Sequence, residues 1–514
     1  MASAPPNSMP APLTGGALAL AAVALALGTF MQVLDSTIAN VALPTIAGNL
    51  GVASDQGTWV ITSFAVANGI SVPLTGWLMM RFGVVRTFVV SVALFTLASF
   101  LCGIAWNLPS LILFRVLQGA VSGPMIPGSQ ALLIMIFPPN KRSTALGVWS
   151  MTTLVAPVLG PILGGYISDN FAWEWIFLIN VPIGIACTWI CWSFMRNRET
   201  PTVARKLNMI SFSLLVFWVG TLQLVLDTGK DADWFSSPQI VILSIMAAIG
   251  FIAWLIWELN EKNPVVDLSL FKSRNFLFGV IALCLAYAVF FGNNLLMPLW
   301  LQTNMGYVAT WAGLAAAPSG MVAVVLTPFV ARLSNRIDAR ILATVSMLLF
   351  ALSFYMRSLY SPDVDFGNLI VPMFVMGAAM SMFFTSMITL SFRDVKPQQM
   401  PAASGLSNFA RITAGSFAAS LATTLWDRYE TAAQGNIANI VHQETLNRAI
   451  EQAQAMGMSQ AQAVGVMTRQ VMQQAYLLAT VDIFRISSII IVCLVPLIWL
   501  CRRTMANGQV HAAD

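Results

Sequence analysis

The sequence predicts an all-α polytopic membrane protein, and three observations lead to this class. First, 57% of the 514 residues are hydrophobic and only 9% are charged, whereas soluble domains carry roughly 25% charged residues. Second, apolar runs of roughly 20 residues, the length at which a helix crosses a bilayer, recur along the whole chain. Third, the basic residues concentrate in every second loop between these runs, as the positive-inside rule describes for membrane proteins.

The apolar runs define fourteen predicted transmembrane helices, each longer than a membrane-spanning strand. They lie near 15–44, 57–80, 87–106, 109–137, 143–168, 175–195, 208–226, 238–258, 277–301, 309–332, 340–359, 367–391, 402–426 and 480–501. With the N-terminus in the cytoplasm, the short outside loops contain only Lys230 and Arg357 as basic residues. Both termini are therefore predicted to be cytoplasmic, with 1–14 as a disordered tail and 502–514 as a second tail.

The composition argues against several function classes. No GxxxxGKS/T loop occurs, so ATP binding has no support in the sequence. There is no Cx2C pair, and both histidines, His442 and His511, lie outside the apolar runs, so neither a metal site nor another cofactor is expected. The six cysteines lie in or at the ends of apolar runs and are interpreted as small packing residues. The net charge of +5 is spread over short loops, so no nucleic-acid partner is expected.

The fifth predicted helix carries a glycine and proline pattern over residues 147–165, GVWSMTTLVAPVLGPILGG. Ala156, Gly160 and Gly164 are spaced four residues apart, so one face of this helix has almost no side chains. Such a face lets a neighbouring helix approach to backbone distance, as small-residue motifs do in membranes. The two prolines each remove an intrahelical hydrogen bond and bend the helix. By itself the pattern fits either a tightly packed structural helix or a helix that moves.

A long polar segment, residues 427–479, separates the last two predicted helices on the outside. It is rich in Gln, Ala and Met and contains few helix breakers, so it is predicted to form one or two amphipathic helices. Two interpretations are open for this segment: a solvated cap, or a docking surface for a partner protein.

Six stretches resemble, in the same order along the chain, the motifs of one transporter family. They are LDSTIANVALP (34–44), GWLMMRFGVVR (76–86), RVLQG (115–119), the glycine-rich run 147–165, WEWIFLINVPIG (173–184) and NPVVDLSLFKSRNF (263–276). Met80 stands where the family usually has an acidic residue. The ordered set resembles the fourteen-span drug:proton antiporter family of the major facilitator superfamily, of the EmrB type.

The resemblance implies a major-facilitator fold with two six-helix halves around a midplane cavity that opens alternately to the two sides. The halves are residues 15–195 and 277–501, and 196–276 contains two inserted helices with cytoplasmic linkers. It also implies a bacterial inner-membrane location, a proton gradient as energy source, and a periplasmic membrane-fusion adaptor and outer-membrane channel as partners. The implied antiporter motif is Gly147, Pro157, Gly160, Pro161, Gly164 and Gly165, and the implied gating loop contains Gly76, Arg81, Gly83 and Arg86.

Asp35 is the one charged residue between Met1 and Ser54 and lies well inside the first predicted helix. An unpaired carboxylate in lipid costs roughly 2.5–3.5 kcal/mol on insertion scales, so it must face protein or water. A carboxyl group that binds and releases a proton would provide proton coupling, and Arg115 in the fourth helix would modulate it. The alternative is that Asp35 makes a structural hydrogen bond and Arg115 a fixed ion pair.

Polar residues inside the predicted helices are candidates for the substrate cavity, although most intramembrane amides tie helices together. The candidates are Gln32, Asn40, Gln118, Asn293, Asn294, Thr385, Asn408 and Arg411. The many Met and aromatic residues fit a binding site that tolerates different shapes. Asp227, Glu258 and Asp482 lie at the ends of predicted helices, where their carboxylates are expected to reach the membrane interface.

The predicted function is proton-driven antiport that exports hydrophobic toxic compounds or drugs across the inner membrane, within a tripartite efflux system. One alternative is a carrier of the same fold with another cargo, such as a lipid, a siderophore or a metabolite. The other is a membrane receptor or scaffold without turnover, which the kinked, glycine-faced fifth helix disfavours. Because no nucleophile–base–orienter set occurs, the chain is not expected to be an enzyme.

Overall fold

The chain folds into a bundle of long helices. The computed structural model describes residues 13–52, 54–138, 141–203, 206–262, 264–334, 336–362, 364–396, 399–440 and 443–503. Within these ranges it contains helices, turns and connecting segments but no β-strand. The predicted all-α class is therefore confirmed.

The first part of the chain forms ten helices. Several predicted spans are each divided into two of these helices. They are α1 (Gly15–Asn49), α2 (Ser54–Gly57), α3 (Trp59–Ser71), α4 (Thr75–Phe82), α5 (Val84–Gly103), α6 (Leu108–Ser122), α7 (Met125–Ile136), α8 (Arg142–Asn170), α9 (Trp175–Leu178) and α10 (Asn180–Met195).

Nine further helices follow, beginning with the inserted pair α11 (Met209–Thr228) and α12 (Pro238–Asn260). The others are α13 (Arg274–Thr303), α14 (Ala309–Leu333), α15 (Ala339–Arg357), α16 (Phe366–Ser391), α17 (Met400–Ile440), α18 (Gln443–Ala455) and α19 (Gln460–Trp499).

Twelve helical stretches of the described residues are long and apolar enough to cross a membrane. Two more long helices, α8 and α17, occupy the positions of the predicted fifth and thirteenth spans. In α8 the described apolar stretch, Val155–Ile167, is shorter than a span. In α17 the polarity comes from residues such as Ser404, Asn408 and Arg411, whose side chains are buried against protein rather than exposed to lipid. The count of fourteen spans stays a prediction.

Two helix breaks in the first part of the chain lie against each other. Pro73 follows α3 in the second predicted span, and Pro124 separates α6 from α7 in the fourth. Because proline has no N–H, the carbonyl of Ala120, four residues before Pro124, loses its helical donor. The Ser71 hydroxyl donates to that carbonyl at 2.5 Å. A freed carbonyl inside a membrane needs such a partner from the protein.

The N-terminal and C-terminal helices contact each other along α8 and α14 and, at one end of the bundle, between α17 and the helices α4 and α7. At that end an added Cβ on Gly76 would lie 3.1 Å from the Cα atom of Ala402, and the Ser404 hydroxyl donates to Gln130 Oε1 at 2.5 Å. Arg81 lies at the same end, which the charge pattern assigns to the cytoplasm. The two halves are therefore in direct contact at this predicted cytoplasmic end.

The described part of the outer segment, residues 427–479, is helical, as predicted, but much of it continues the last two spans. α17 and α19 are 41 and 40 residues long. At 1.5 Å per residue each measures roughly 60 Å, about twice the hydrocarbon thickness of a bilayer. The Trp426 indole of α17 donates to the Thr480 hydroxyl of α19 at 2.8 Å, so the two helices leave the bundle together, with α18 between them.

Two charged residues are more deeply buried than the sequence predicts. Arg357, assigned to an outside loop, belongs to the last turn of α15 and is fully buried beside the Phe484 ring of α19. Glu258, expected to reach the interface, is buried and accepts hydrogen bonds from the Ser211 hydroxyl and the Val266 N–H. In both cases groups from outside the helix cover the charge, which a hydropathy pattern does not register.

Candidate functional site

Asp35 and Arg115 form a buried ion pair between α1 and α6. Arg115 Nη1 donates to Asp35 Oδ2 at 2.6 Å, and the side chains are 1% exposed for Arg115 and 0% for Asp35. Two amides donate to the other carboxylate oxygen, Gln118 Nε2 at 3.0 Å and Asn180 Nδ2 at 2.9 Å. The guanidinium therefore balances the carboxylate charge, and donors from α6 and α10 fix its position.

The hydrogen-bond network extends to α5 through Ser99. The Ser99 hydroxyl accepts from Gln118 Nε2 at 2.7 Å and from Asn180 Nδ2 at 3.3 Å, and all three side chains are buried. Four helices, α1, α5, α6 and α10, thus contribute side chains to one hydrogen-bond network around the carboxylate. A substitution of Asp35 would therefore remove hydrogen bonds from α6 and α10 together.

Arg115 is held on its other sides by a carbonyl and two aromatic rings. Its Nε atom donates to the Val60 carbonyl at 3.0 Å, and Nη1 also donates to Gln118 Oε1 at 2.7 Å. The guanidinium lies 4.2 Å from the ring centroid of Phe64 and 5.5 Å from that of Phe177. Such cation–π contacts stabilise a desolvated guanidinium. Part of Arg115 also lines the central cavity, so the ion pair is adjacent to it.

A central cavity of about 380 Å³ lies beside the ion pair and is lined by helices of both halves and by the inserted helix α11. Its walls combine aromatic rings with a few polar groups, which is the composition of small-molecule sites. Gln32 and Arg411, two of the predicted cavity residues, line it, as does Pro157 of the fifth-helix motif. Its aromatic lining residues are Phe64, Trp218, Tyr287 and Phe291.

Arg411 presents a guanidinium from α17 to this cavity. Its Nη2 atom donates to Asn408 Oδ1 at 3.0 Å, and the group lies 4.7 Å from the Tyr287 ring centroid. Asn408 in turn donates to Gln130 Oε1 of α7 at 2.8 Å. Asn408 therefore connects the two halves and orients Arg411.

The remaining cavity candidates have other surroundings. Asn293 donates to the Ser487 hydroxyl at 2.8 Å and ties α13 to α19, the role that intramembrane amides commonly have. Thr385 is fully buried in α16 and Asn294 is half-buried in α13. In the described part of the chain, none of these three lines the central cavity. The side chain of Asn40 lies outside the described residues.

The glycine face of α8 packs against α1 at Thr37 and Ile38, which follow Asp35 by two and three residues. An added Cβ on Gly160 would overlap the Thr37 hydroxyl. One on Gly164 would lie 3.1 Å from the carbonyl oxygen of Ile38. The two helices are therefore in contact at backbone distance, as the small-residue spacing predicts.

Other positions of the fifth-helix motif face elsewhere. An added Cβ on Gly147 would lie 2.8 Å from the Thr327 side chain of α14, whereas one on Gly165 would meet no atom within 4 Å. The side chain of Pro161 lies outside the described residues. α8 is thus packed between α1, which carries Asp35, and α14 of the other half.

The predicted gating loop is stabilised by Glu199, a residue more than 100 positions further along the chain. Gly83 has a φ of 92°, a left-handed conformation that glycine adopts without strain, and the Glu199 side chain lies over it. The Glu199 carboxylate accepts from the N–H groups of Val85 at 3.0 Å and Arg86 at 2.8 Å. Carboxylates favour this position at a helix N-terminus, so Glu199 caps α5.

Three polar residues of this site are not among the site residues predicted from the sequence. Ser99 gives no signal, because serine is a common small residue in transmembrane helices. Asn180 gives a weak one, an amide inside an apolar run. Asp227, expected to reach the interface, lines the central cavity instead, because α11 packs against α3 and α17 with this face inward.

Comparisons with known proteins agree with this geometry. The family model of the Major Facilitator Superfamily matches residues 25–419. The chain is 47% identical over 499 residues to the fatty acid resistance protein FarB of Neisseria gonorrhoeae, covering 97% of this chain and 98% of that protein. It is also 47% identical over 500 residues to the multidrug export protein EmrB of Escherichia coli, with the same coverages of 97% and 98%.

The fold agrees with that of a solved peptide transporter, POT, with a TM-score of 0.60 at 13% sequence identity over 96% of this chain and 98% of that one. Apolar helices around a central cavity, together with the family match, define a multi-span membrane transporter. The chain belongs to the Major Facilitator Superfamily. The resemblance inferred from the order of motifs is confirmed.

Proposed function

We propose that the protein is a proton-driven antiporter that exports hydrophobic toxic compounds across the bacterial inner membrane by alternating access. The observation that carries this proposal is the buried Asp35–Arg115 pair beside an aromatic cavity, because it puts a protonatable group next to the cargo space. Two relatives at 47% identity support the cargo class, since one is named a multidrug export protein and the other a fatty acid resistance protein.

The ion pair supports a simple coupling mechanism. When ionised, Asp35 accepts hydrogen bonds from Arg115, Gln118 and Asn180, and these bonds hold α1, α6 and α10 together. Protonation removes the counter-charge of a desolvated guanidinium, which is costly in a buried site. A rearrangement of the helices then lowers the free energy of the protein. Proton binding therefore shifts the equilibrium between the two orientations of the cavity.

α8 is positioned to pass this rearrangement from one half to the other. Its glycine face contacts α1 at Thr37 and Ile38, and Gly147 contacts α14. Helices packed through small residues slide and tilt against each other as units. A displacement of α1 at Asp35 is therefore transmitted to the second half.

The cavity fits amphiphilic cargo. Its aromatic rings offer apolar surface of the kind that hydrophobic drugs bury. Arg411 adds a guanidinium, whose planar fork binds a carboxylate through two parallel hydrogen bonds. An anionic amphiphile would therefore bind with its charged group at Arg411 and its apolar part against Tyr287 and Phe291.

We also propose that the outer segment docks a periplasmic membrane-fusion adaptor that leads to an outer-membrane channel. This segment carries exposed apolar side chains. They lie in the part of the chain that extends beyond the bilayer, because α17 and α19 are about twice as long as the hydrocarbon core is thick. Met456 is 77% exposed, and Val464, Val466 and Met472 are exposed as well. Exposed apolar groups on a polar helical surface are typical of interaction sites.

Reconstitution tests the transport proposal directly. Purified protein in proteoliposomes with an imposed pH gradient should accumulate hydrophobic drugs, and drug addition should release protons. Cationic, neutral and anionic compounds are compared with a fluorescent phospholipid. Drug uptake that persists after the pH gradient is collapsed contradicts antiport, and transport of the phospholipid alone contradicts the proposed cargo.

A further inference from the structure

The inserted helix α11 forms a wall of the central cavity. Trp218, Gln223 and Asp227 are among its residues that line this space. The helix is attached to α17, because its Leu226 carbonyl accepts a hydrogen bond from the Ser420 hydroxyl at 2.8 Å. Cargo in the cavity therefore contacts a helix that lies outside the two six-helix halves.

Asp227 brings a carboxylate to that wall. Gln223 Nε2 donates to its Oδ1 atom at 3.0 Å, whereas Oδ2 is buried and has no hydrogen-bond partner among the described residues. The Thr62 hydroxyl is near the carboxylate but outside hydrogen-bonding geometry with Oδ2. A buried acceptor without a donor costs free energy unless a ligand or solvent satisfies it. The described residues therefore leave the hydrogen-bonding capacity of Oδ2 unused.

The two guanidinium groups that line the same cavity are already engaged. Arg115 is paired with Asp35, and Arg411 is held by Asn408 and the Tyr287 ring. Lys230 forms an ion pair at 3.0 Å with a different carboxylate, that of Asp427. Among the described residues no ion pair involves the carboxylate at 227. Within the part of the chain that the structure describes, this carboxylate of the cavity has no basic partner.

We propose that Asp227 recognises the positive charge of lipophilic organic cations, so that the inserted helix adds a cation-binding subsite to the cavity. The inference rests on the proposed function, since it assigns a role within the same cargo space. Asp227 would bind a cationic head group, whereas Arg411 would bind an anionic one. One cavity would then accept amphiphiles of either charge.

The surroundings of Asp227 fit an organic cation better than a metal ion. A divalent metal ion requires several oxygen ligands, and the described residues contain no cluster of three metal-binding side chains. A bulky organic cation needs one counter-charge together with apolar or π surface. Trp218, Tyr287 and Phe291 provide that surface in the same cavity.

The experiment compares two probes of similar size and different charge. Tetraphenylphosphonium is a monovalent lipophilic cation, and triphenylphosphine oxide is neutral. Binding of both to the purified full-length protein in nanodiscs is measured by calorimetry, and their transport is measured in proteoliposomes. Asp227→Asn should raise the Kd and KM for tetraphenylphosphonium by about tenfold, or roughly 1.4 kcal/mol, and leave the neutral probe unchanged.

Two further variants at this position and one nearby serve as controls. Asp227→Glu keeps the charge and should retain cation binding. Asp227→Ser is a second neutral variant, used if the asparagine variant fails to fold, and should behave like it. Asp231→Asn removes an exposed carboxylate four residues away and should leave both probes unaffected.

Four outcomes would overturn the inference. One is wild-type affinity of Asp227→Asn for the cation, and another is equal loss of both probes, which would indicate a packing role. The third is a lower maximal rate for both probes at unchanged KM, as expected for a proton-carrying group. A wild-type protein that transports neutral or anionic drugs but never binds the cation also overturns this inference alone. Failure to transport any drug would instead overturn the proposed function.

Discussion

Asp35 and Asp227 are both acidic residues of transmembrane helices near the same cavity, yet their surroundings differ. Asp35 is 0% exposed, accepts three hydrogen bonds and is paired with a guanidinium at 2.6 Å. Asp227 lines the cavity, accepts one hydrogen bond from Gln223 and has a second oxygen without a partner. Protein donors satisfy both oxygens of the first carboxylate, whereas the described residues leave one oxygen of the second without a donor.

The difference suggests a division of labour in the proposed mechanism. A fully satisfied buried pair resists perturbation, because removing either partner leaves an uncompensated charge in a desolvated site. The Asp35–Arg115 pair is therefore suited to a mechanism in which protonation selects between two discrete arrangements of the helices. A ligand that interacts with an incompletely satisfied carboxylate instead stabilises the complex. This property makes Asp227 suitable for recognising cargo.

The largest effect is expected from Asp35→Asn, which keeps the shape of the side chain and removes its titratable proton. Transport driven by a pH gradient should be abolished, because the amide cannot bind and release a proton. The change also leaves Arg115 without a counter-charge, and breaking a buried pair in this way costs about 3–5 kcal/mol of stability. Proton release on drug addition in proteoliposomes and thermal unfolding in detergent measure the two consequences separately.

The double variant Asp35→Asn/Arg115→Gln is the matched control, because it removes both charges together. It should recover much of the lost thermal stability while transport stays absent. Normal pH-driven efflux by the single variant would contradict the coupling role. Recovery of transport by the double variant would show that the pair is structural.

The next largest effect is expected where α8 contacts α1. Gly160→Leu would force a side chain into the space of the Thr37 hydroxyl, and overpacking of this kind costs about 1–3 kcal/mol. Transport should fall to a small fraction of the wild-type rate. Gly165→Leu places the same side chain in open space and should retain most of the activity. Equal rates for the two variants at equal protein levels would argue against a role of this contact.

A smaller and more selective effect is expected from Arg411→Gln. Because the guanidinium is proposed to bind anionic head groups, the KM for a lipophilic carboxylate should rise by about tenfold. Transport of tetraphenylphosphonium should be unchanged, which is the opposite selectivity to Asp227→Asn. Arg411→Lys keeps the charge without the planar fork and should give an intermediate KM. An equal loss of cation and anion transport would instead point to damage to the Asn408 contact between the halves.

The smallest effect on transport in vesicles is expected from deletion of residues 435–470 with a short Gly/Ser linker in their place. The remaining ends of α17 and α19 keep the contact between Trp426 and Thr480, so the bundle should stay intact. Co-purification with the periplasmic adaptor and drug resistance of whole cells should nevertheless be lost. If the shortened protein retains the adaptor as well as the intact one does, the segment is a solvated cap.

Much of the architecture could be predicted because hydropathy and charge are local properties. Twelve apolar helices of the described residues coincide with twelve of the predicted spans, and the close contact of Gly160 and Gly164 with a neighbouring helix follows from their spacing. The cavity residues were harder to predict, because an amide inside a helix can face cargo or another helix. Gln32 lines the cavity, whereas Asn293 ties two helices together, and no local pattern distinguishes the two.

The sequence by itself determined the all-α membrane class, the family and the choice of Asp35 and Arg115, since a charge in an apolar run is visible without a fold. Only the tertiary structure decided that these two residues, 80 positions apart, form an ion pair, and that Asn180, 145 positions from Asp35, completes it. It also decided that Asp227 faces the cavity. The physical reason is that hydrogen bonds and ion pairs act over a few ångströms, and which distant residues come that close depends on how the helices pack.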